Sequence, residues 1–391
     1  MNQFVIENAS TPPQRDHILI ALVFLLTGIG LVTLYSASYA FGERLYSGGL
    51  YFFFRQARMG ALGVLLFFLG LHFPMSLLRK GVVFLVLVSM ILCALTLVPG
   101  IGVVKNGAAR WIRLGPFSTY QPSELVKLVL PLYLAHIFAK KEDRIRSFST
   151  AVLPQALVTL IFFFLIYIQN NFSTAMLIAV NALFVFFLAG VRFRYFIGAA
   201  VILFPLSAFL ILTKEHRLRR FISFLWPEWD PLGAGYQVRS SLLTIGSGGF
   251  WGKGIGQGTR KIASVPEVQS DFVFSAFAEE AGFIGVLLIF VLFIFFTLRG
   301  YRAALGAADS FCRLFAFGLV TIVASQALLN IAVVSGVLPA TGIPLPFFSA
   351  GGSSLATTLL IAGLIVNISG LSGKPALAPG EHVEKDAEYA E

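Results

Sequence analysis

The chain has 391 residues, of which 57% are hydrophobic and 12% charged, with 29 Lys and Arg against 19 Asp and Glu. The charged share is about half that of a soluble domain, and a mean hydropathy of +0.84 points the same way. These values exclude a string of soluble domains and identify a polytopic membrane protein.

Ten apolar runs are long enough to cross a hydrocarbon core of roughly 30 Å. They lie at 17–39, 57–74, 81–98, 122–139, 150–168, 172–190, 193–213, 271–298, 311–336 and 350–370. No stretch alternates with period two, so the predicted fold class is an all-α polytopic bundle of about ten transmembrane helices. Residues 1–16 read as a tail. The first run precedes a small-residue "SAS" (36–38) but is too long for the core of a signal peptide, so it is expected to stay as a span. Cys93 and Cys312 sit in separate runs without redox or metal spacing and read as packing residues. The five histidines form no HxxxH or HxxE pattern, and no protein-built metal cage is expected.

The short basic loops, Arg79–Lys80, "KKEDRIR" (140–146), Arg192/Arg194 and Arg299/Arg302, all fall on the side of the N-terminus. The positive-inside rule makes that side cytoplasmic. Both termini, including a polar tail over 371–391 expected to be disordered, are then cytoplasmic in a multi-pass protein of the inner membrane.

The outer side carries the long segment 213–270, between the seventh and eighth runs. Lys214 through Asp271 holds eight Lys/Arg against five Asp/Glu, and the loop at 99–120 adds Lys105, Arg110 and Arg113 with no acid. Long loops tolerate such charge, but an electropositive mouth attracting an anionic ligand is the sharper reading. In "KEHRLRRFISFLW" (214–226), Leu218, Phe221, Ile222 and Leu225 mark one face of an amphipathic helix at the outer interface. The glycine-rich "GSGGFWGKGIGQG" (246–258) lacks the strand–helix context of a nucleotide fingerprint. It reads as a close backbone approach or a mobile loop.

The fourth run opens "TYQPSELVKL" (119–128), with Pro122 near the first helical position and Glu124 in the first turn, where the helix dipole favours an acid. Lys127, three residues on, shares its face and can pair with it, either structurally or in catalysis. Asp271, in "VPEVQSDFVF" (265–274), opens an apolar run, where an ionisable residue is a functional hypothesis by default. If the eighth helix begins near 271, Asp271, Ser275, Ala278, Glu279 and Gly282 form one small polar stripe. Glu279 is then roughly 12 Å below Asp271, a depth suited to packing or gating, and Glu280 points away toward another helix or a partner. "GVLPATGIPLPFFSAGGSS" (336–354), with three prolines, is read as an irregular cavity wall. Gln326 and Asn330 read as interhelical hydrogen-bonding residues.

Four motifs, "KNGAARWIRLGPFSTYQPSELVKL" (105–128), "GYQVRSSLLTIGSGGFWGKGIGQG" (235–258), "VPEVQSDFVFSAFAEEAGFIG" (265–285) and "LPATGIPLPFFSAGGSS" (338–354), occur in this order. Together they resemble the FtsW/RodA/SpoVE family, the shape, elongation, division and sporulation proteins, over roughly residues 16–370. The asparagine of "KNGAARWI" leans toward the division branch. The resemblance implies a peptidoglycan glycosyltransferase that polymerises lipid II at the outer face of the membrane. It also implies a class B penicillin-binding protein as transpeptidase partner, within the division or elongation machinery, and no nucleic acid. The family's essential aspartate aligns with Asp271, its glutamate and lysine with Glu124 and Lys127, and its "RWI" arginine with Arg110. Three departures stand out: Gln269 replaces a histidine, Asn171 an acid and Ala350 a tyrosine.

The chemistry agrees with that implication. Attack of a sugar hydroxyl on an anomeric carbon needs a base. Glycosidases need a second carboxyl group because their leaving group is an alkoxide. A lipid diphosphate is already a stable anion, so one carboxylate, Asp271, with cationic stabilisation is enough. Arg110, Lys127 and Arg239 are the candidate diphosphate contacts. A divalent cation, Mg or Mn, held between diphosphate and carboxylate would do similar work. A lipid II flippase is the rival function and a recruiting scaffold a third; a flippase needs polar groups through the full depth, whereas these cluster at the outer end.

Overall fold

The computed structural model describes residues 15–371 apart from 47, 106, 114, 116–118, 146, 227–228, 230–232 and 260–269. The two tails (1–14 and 372–391) and Gln269, with the motif residues before it, lie outside the described residues.

An apolar run in lipid must satisfy its own backbone, and a helix does so within one segment. Each of the ten predicted spans accordingly contains a helix. These are α1 (His17–Tyr46), α2 (Tyr51–His72), α3 (Met75–Leu95), α4 (Pro122–Lys140), α5 (Leu153–Ile168), α6 (Phe172–Leu188) and α7 (Phe193–Leu212). After the outer helices α8 (Glu215–Leu225) and α9 (Ala234–Gly248) come α10 (Val273–Leu305), α11 (Ser310–Val334) and α12 (Gly352–Ser369). Nine spans among the described residues are long and apolar enough to cross a membrane, and α6 is a shorter apolar tenth. α8 is the amphipathic helix expected at the interface.

Position in the bundle follows from side-chain size and polarity. α4, α11 and α12 are central: 72%, 67% and 78% of their most apolar stretches are buried, against 6% for α7. α12 lies along α2, whose buried face carries Gly60, Gly63 and Gly70. Small residues let two helices approach closely where lipid offers no hydrophobic drive. α7 stands at the edge and packs on α8.

Two features were not expected. The loop 99–120 holds an antiparallel sheet of β1 (Gly102–Lys105), β2 (Ala108–Arg113) and β3 (Thr119–Tyr120), in the order β1-β2-β3. Val103 pairs with Trp111 and Ile112 with Tyr120. Strands of four, six and two residues are too short to show a period-two pattern. The membrane part remains all-α.

The second feature is a break in α10 at Gly282, where φ is 64° and ψ −167°. A left-handed φ of this kind suits glycine, and a Cβ there would collide with the backbone of Trp251 and Gly252. The glycine-rich loop after α9 fills the gap. Lys253 N–H donates to the Glu279 carbonyl and Gly254 N–H to that of Glu280, both at 3.0 Å. Phe283 and Ile284 N–H donate in turn to the carbonyls of Gly249 and Phe250, at 3.0 and 3.3 Å. Groups freed by the break thus find partners within the protein, as a low-dielectric surrounding requires. The stripe expected from Asp271 to Gly282 is therefore not continuous: Asp271 precedes the helix and Gly282 ends its first segment.

Candidate active site

Pro122 and Glu124 start α4 as the sequence predicts. One turn in, Lys127 Nζ lies 2.7 Å from Glu124 Oε1, and both side chains are 3% exposed. The predicted pair is thus buried. Lys127 also donates to Gln326 Oε1 of α11 at 2.8 Å, so two of its three N–H donors are committed inside the protein.

From this pair a chain of hydrogen bonds leads to Asp271. Gln326 Nε2 donates to the Pro344 carbonyl at 2.8 Å. One helical turn later, Asn330 Nδ2 donates to the carbonyls of Ile343 and of Asp271, both at 2.8 Å. Gln326 thus makes the expected interhelical bond, through Oε1 to Lys127 of α4, and both amides also donate to the irregular proline-rich segment, which has carbonyls no helix satisfies. The segment is packed by the buried Ile343, Leu345, Phe347 and Phe348. Gly342, at φ 73°, comes so close that a Cβ there would stand 3.2 Å from Asp271 Oδ2. Asp271 is half-buried in the turn before α10: Asn330 of α11 fixes its backbone, and its Oδ2 lies beside Gly342 of the proline-rich segment.

Arg110, on β2, faces the same region. Its Nη2 donates to the Asn170 carbonyl in the turn between α5 and α6, and Asn170 Nδ2 returns a bond to the Gly107 carbonyl at 2.8 Å. The sheet is thereby fastened to that turn. Burial, and then the charge of Arg220, pull the Arg110 guanidinium down to about 10; Asp271 opposes them and Arg217 adds the smallest downward push. Arg110 still carries its charge at neutral pH, and Asp271 lies within its field. Burial, with the carboxylate of Glu124 adding, raises the Tyr120 hydroxyl well above its usual range, so it stays protonated.

Arg239 is exposed on α9, whose buried side carries Ser240, Ser241 and Thr244. Asn171 reaches Ser123 Oγ at 3.4 Å, at the base of α4. Glu279 is fully buried, with Lys253 Nζ at 2.6 Å, Ser247 Oγ at 3.2 Å and Thr259 N–H at 3.1 Å. Glu280 accepts from Ser36 of α1 and from Gly256 N–H. Both carboxylates hold the glycine-rich loop, matching the packing role expected of Glu279 and the reach to another helix expected of Glu280. Sequence reasoning did not single out Lys253, or Arg217 and Arg220 of α8. Among the described residues no three of His, Cys, Asp and Glu gather as a metal-holding group.

Residues 16–373 match the family model of the FtsW/RodA/SpoVE proteins, described as cell cycle proteins. The "Probable peptidoglycan glycosyltransferase FtsW" of Geobacter sp. (strain M18) is 37% identical over 354 residues, covering 90% of this chain and 96% of that relative. The stage V sporulation protein E of Bacillus subtilis (strain 168) is 37% identical over 356 residues, covering 90% and 96%. One solved chain comes from work on structural coordination of polymerization and crosslinking by a peptidoglycan synthase complex. It matches with a TM-score of 0.74 at 31% identity, over 91% of this chain and 97% of that one. The rod shape determining protein RodA of Thermus thermophilus matches with a TM-score of 0.68 at 30% identity, over 92% and 98%. A ten-helix bundle, the four motifs in order and matches spanning nine-tenths of the chain agree: this multi-pass membrane protein belongs to the FtsW/RodA/SpoVE family.

Proposed function

We propose that the chain is a peptidoglycan glycosyltransferase that polymerises lipid II at the outer face of the cytoplasmic membrane, for septal wall synthesis in division. The observation that carries this reading is Asp271, half-buried at the mouth, its backbone bound by Asn330 and its carboxylate in the field of Arg110. The acceptor's 4-hydroxyl attacks the anomeric carbon of the donor, forming the new C–O bond as the bond to the lipid diphosphate breaks. Asp271 takes the hydroxyl proton as general base. Attack from the face opposite the leaving group inverts the anomeric centre. The departing diphosphate leaves as an anion, and cationic side chains at the mouth stabilise its charge.

A divalent cation, Mg²⁺ or Mn²⁺, shared between the diphosphate and Asp271 would add charge neutralisation at the leaving group. Among the described residues Asp271 is the carboxylate that would hold it, which suits an ion that takes its other ligands from phosphate oxygens and water. A class B penicillin-binding protein is the proposed partner, and both termini are proposed to be cytoplasmic.

The test uses purified protein with a class B partner and lipid II in detergent, where leaflets do not exist and a flippase has no product to make. Chains of linked disaccharides are expected from the wild type. Asp271→Asn should fold, with unchanged thermal unfolding, and lose polymer yield by about 10²–10⁴-fold. Near-normal yield from Asp271→Asn removes it as the base. A complex that moves lipid II across liposomes but leaves it unpolymerised replaces this reading with transport.

A further inference from the structure

We infer that Arg110, Arg217 and Arg220 form a diphosphate-binding site beside Asp271, built where α8 crosses the turn between α5 and α6. This rests on the glycosyltransferase reading for the identity of the ligand, but the site itself is argued from the arginines.

Arg217 is 7% exposed. Its guanidinium lies over the rings of Tyr167 and Phe172, 4.5 and 5.1 Å from their centroids. Its Nη1 donates to the Leu210 carbonyl at 3.1 Å. Its Nη2 is buried with no hydrogen-bond partner, and so is Nε of Arg110. Neither arginine makes an ion pair with a described residue. A buried guanidinium without a carboxylate is costly, by several kcal/mol per ion before compensation. The ring faces recover part of that cost but leave the N–H donors empty. Unspent donors on two buried cations call for an anion.

The same turn gathers both groups. Arg110 bonds the carbonyl of Asn170, and Arg217 stacks on residues 167 and 172 on either side of it. Arg220, one turn along α8, is exposed and donates to the Ala340 carbonyl at 3.3 Å. Ala340 lies two residues before Gly342, where an added Cβ would stand 3.2 Å from Asp271 Oδ2. Arg217 and Arg220 both act on the charge of Arg110, as does Asp271. The contacts thus set three guanidinium groups along one path, from the turn at Asn170 to the segment beside Asp271, and among the described residues named there positive charge is in excess. Guanidinium forks match phosphate oxygens in pairs, so two linked phosphates suit three arginines better than a single charge does. This differs from the sequence-based expectation: Lys127 is committed to Glu124 and Gln326, and Arg239 is exposed on another helix.

The test measures binding without turnover, in the full-length Asp271→Asn protein in detergent. The probes are a long-chain polyprenyl diphosphate, inorganic diphosphate and phosphatidylglycerol. The polyprenyl diphosphate should bind, inorganic diphosphate should compete for the same site, and phosphatidylglycerol should not displace it. Arg217→Gln and Arg220→Gln should each weaken binding by about tenfold or more and flatten its salt dependence. Should Arg217→Gln not fold, the exposed Arg220 still provides the test. Equal affinity for inorganic and lipid diphosphate keeps the site and assigns it to the free anion. Unchanged binding in a folded arginine variant, or displacement by phosphatidylglycerol, overturns it. Arginine-dependent binding by a wild-type chain that makes no polymer counts against the glycosyltransferase reading alone; a polymerising chain whose arginine variants bind normally counts against this site alone.

Discussion

The outer half of the bundle holds two groups of charged residues with opposite designs. Glu124 and Lys127 are almost fully buried and directed at one another, with Gln326 completing the lysine. Arg110 and Arg217 are buried too, yet each keeps an N–H with no partner. In the first group each charge faces its opposite within the protein, with Glu124 Oε2 alone left over, and the pair serves to fix α4, α11 and the proline-rich segment. The second is satisfied only when something negative enters. Burial does not by itself separate a structural charge from a binding one; whether an opposite charge already faces it does.

The largest expected effect comes from breaking the satisfied group. Lys127→Met leaves Glu124 buried and alone, and Glu124 Oε2 already lacks a partner. The loss should be about 3–5 kcal/mol, read as a large fall in thermal unfolding temperature. Adding Glu124→Gln should restore part of it. If the two substitutions combine additively within about 0.5 kcal/mol, the groups do not interact.

An intermediate effect is expected at Asn330, which joins the two regions. Asn330→Leu strands the carbonyls of Asp271 and Ile343 and should cost about 1–3 kcal/mol. Its signature is kinetic: because Asp271 loses its anchor, turnover should fall at least about tenfold while KM changes little, since a 1 Å misplacement is costly to catalysis. A variant that loses stability but polymerises at the normal rate would make Asn330 a packing residue only.

The smallest effect should follow Lys253→Met. Its ammonium is 31% exposed, and Glu279 keeps Ser247 and the Thr259 N–H as donors. About 1–2 kcal/mol is expected in thermal unfolding, clearly less than for Lys127→Met. Equal losses from the two lysine substitutions would show that retained donors do not protect a buried carboxylate, and the contrast between satisfied and unsatisfied groups would fail.

What the sequence made legible was whatever depends on neighbours along the chain. Ten spans followed from uninterrupted apolar runs, α8 from a helical repeat over 214–226, and the Glu124–Lys127 pair from a spacing of three. The rest depends on residues far apart in sequence. Arg217 reads as a charge on the polar side of an interface helix, and only the fold brings it onto Tyr167 and Phe172. Gln326 and Asn330 were visible as interhelical hydrogen-bonding residues, and Gln326 does bind Lys127, but their carbonyl partners Pro344 and Ile343 lie on an irregular segment whose path no periodicity gives. The sheet strands were too short, and α9 was hidden in a segment read chiefly for its glycines. The break at Gly282 is set by the loop that fills it and not by its own neighbours.

That break has a mechanical consequence. A single helix across the bilayer transmits a push from one end to the other, but α10 is two rods joined at Gly282, each with its own end groups. Two backbone hydrogen bonds, from Lys253 and Gly254 N–H, and the Lys253–Glu279 ion pair tie the first rod to the glycine-rich loop, and the N–H groups of Phe283 and Ile284 tie the second rod to the same loop. Buried backbone groups left without partners are costly, so the loop cannot slide along the second rod and stays clamped to the first. Asp271 sits two residues before that rod begins. Force applied to the exposed Phe250, Trp251 or Ile255 at the tip of the loop would therefore load both rods where they meet at Gly282, and reach Asp271 through the short first rod.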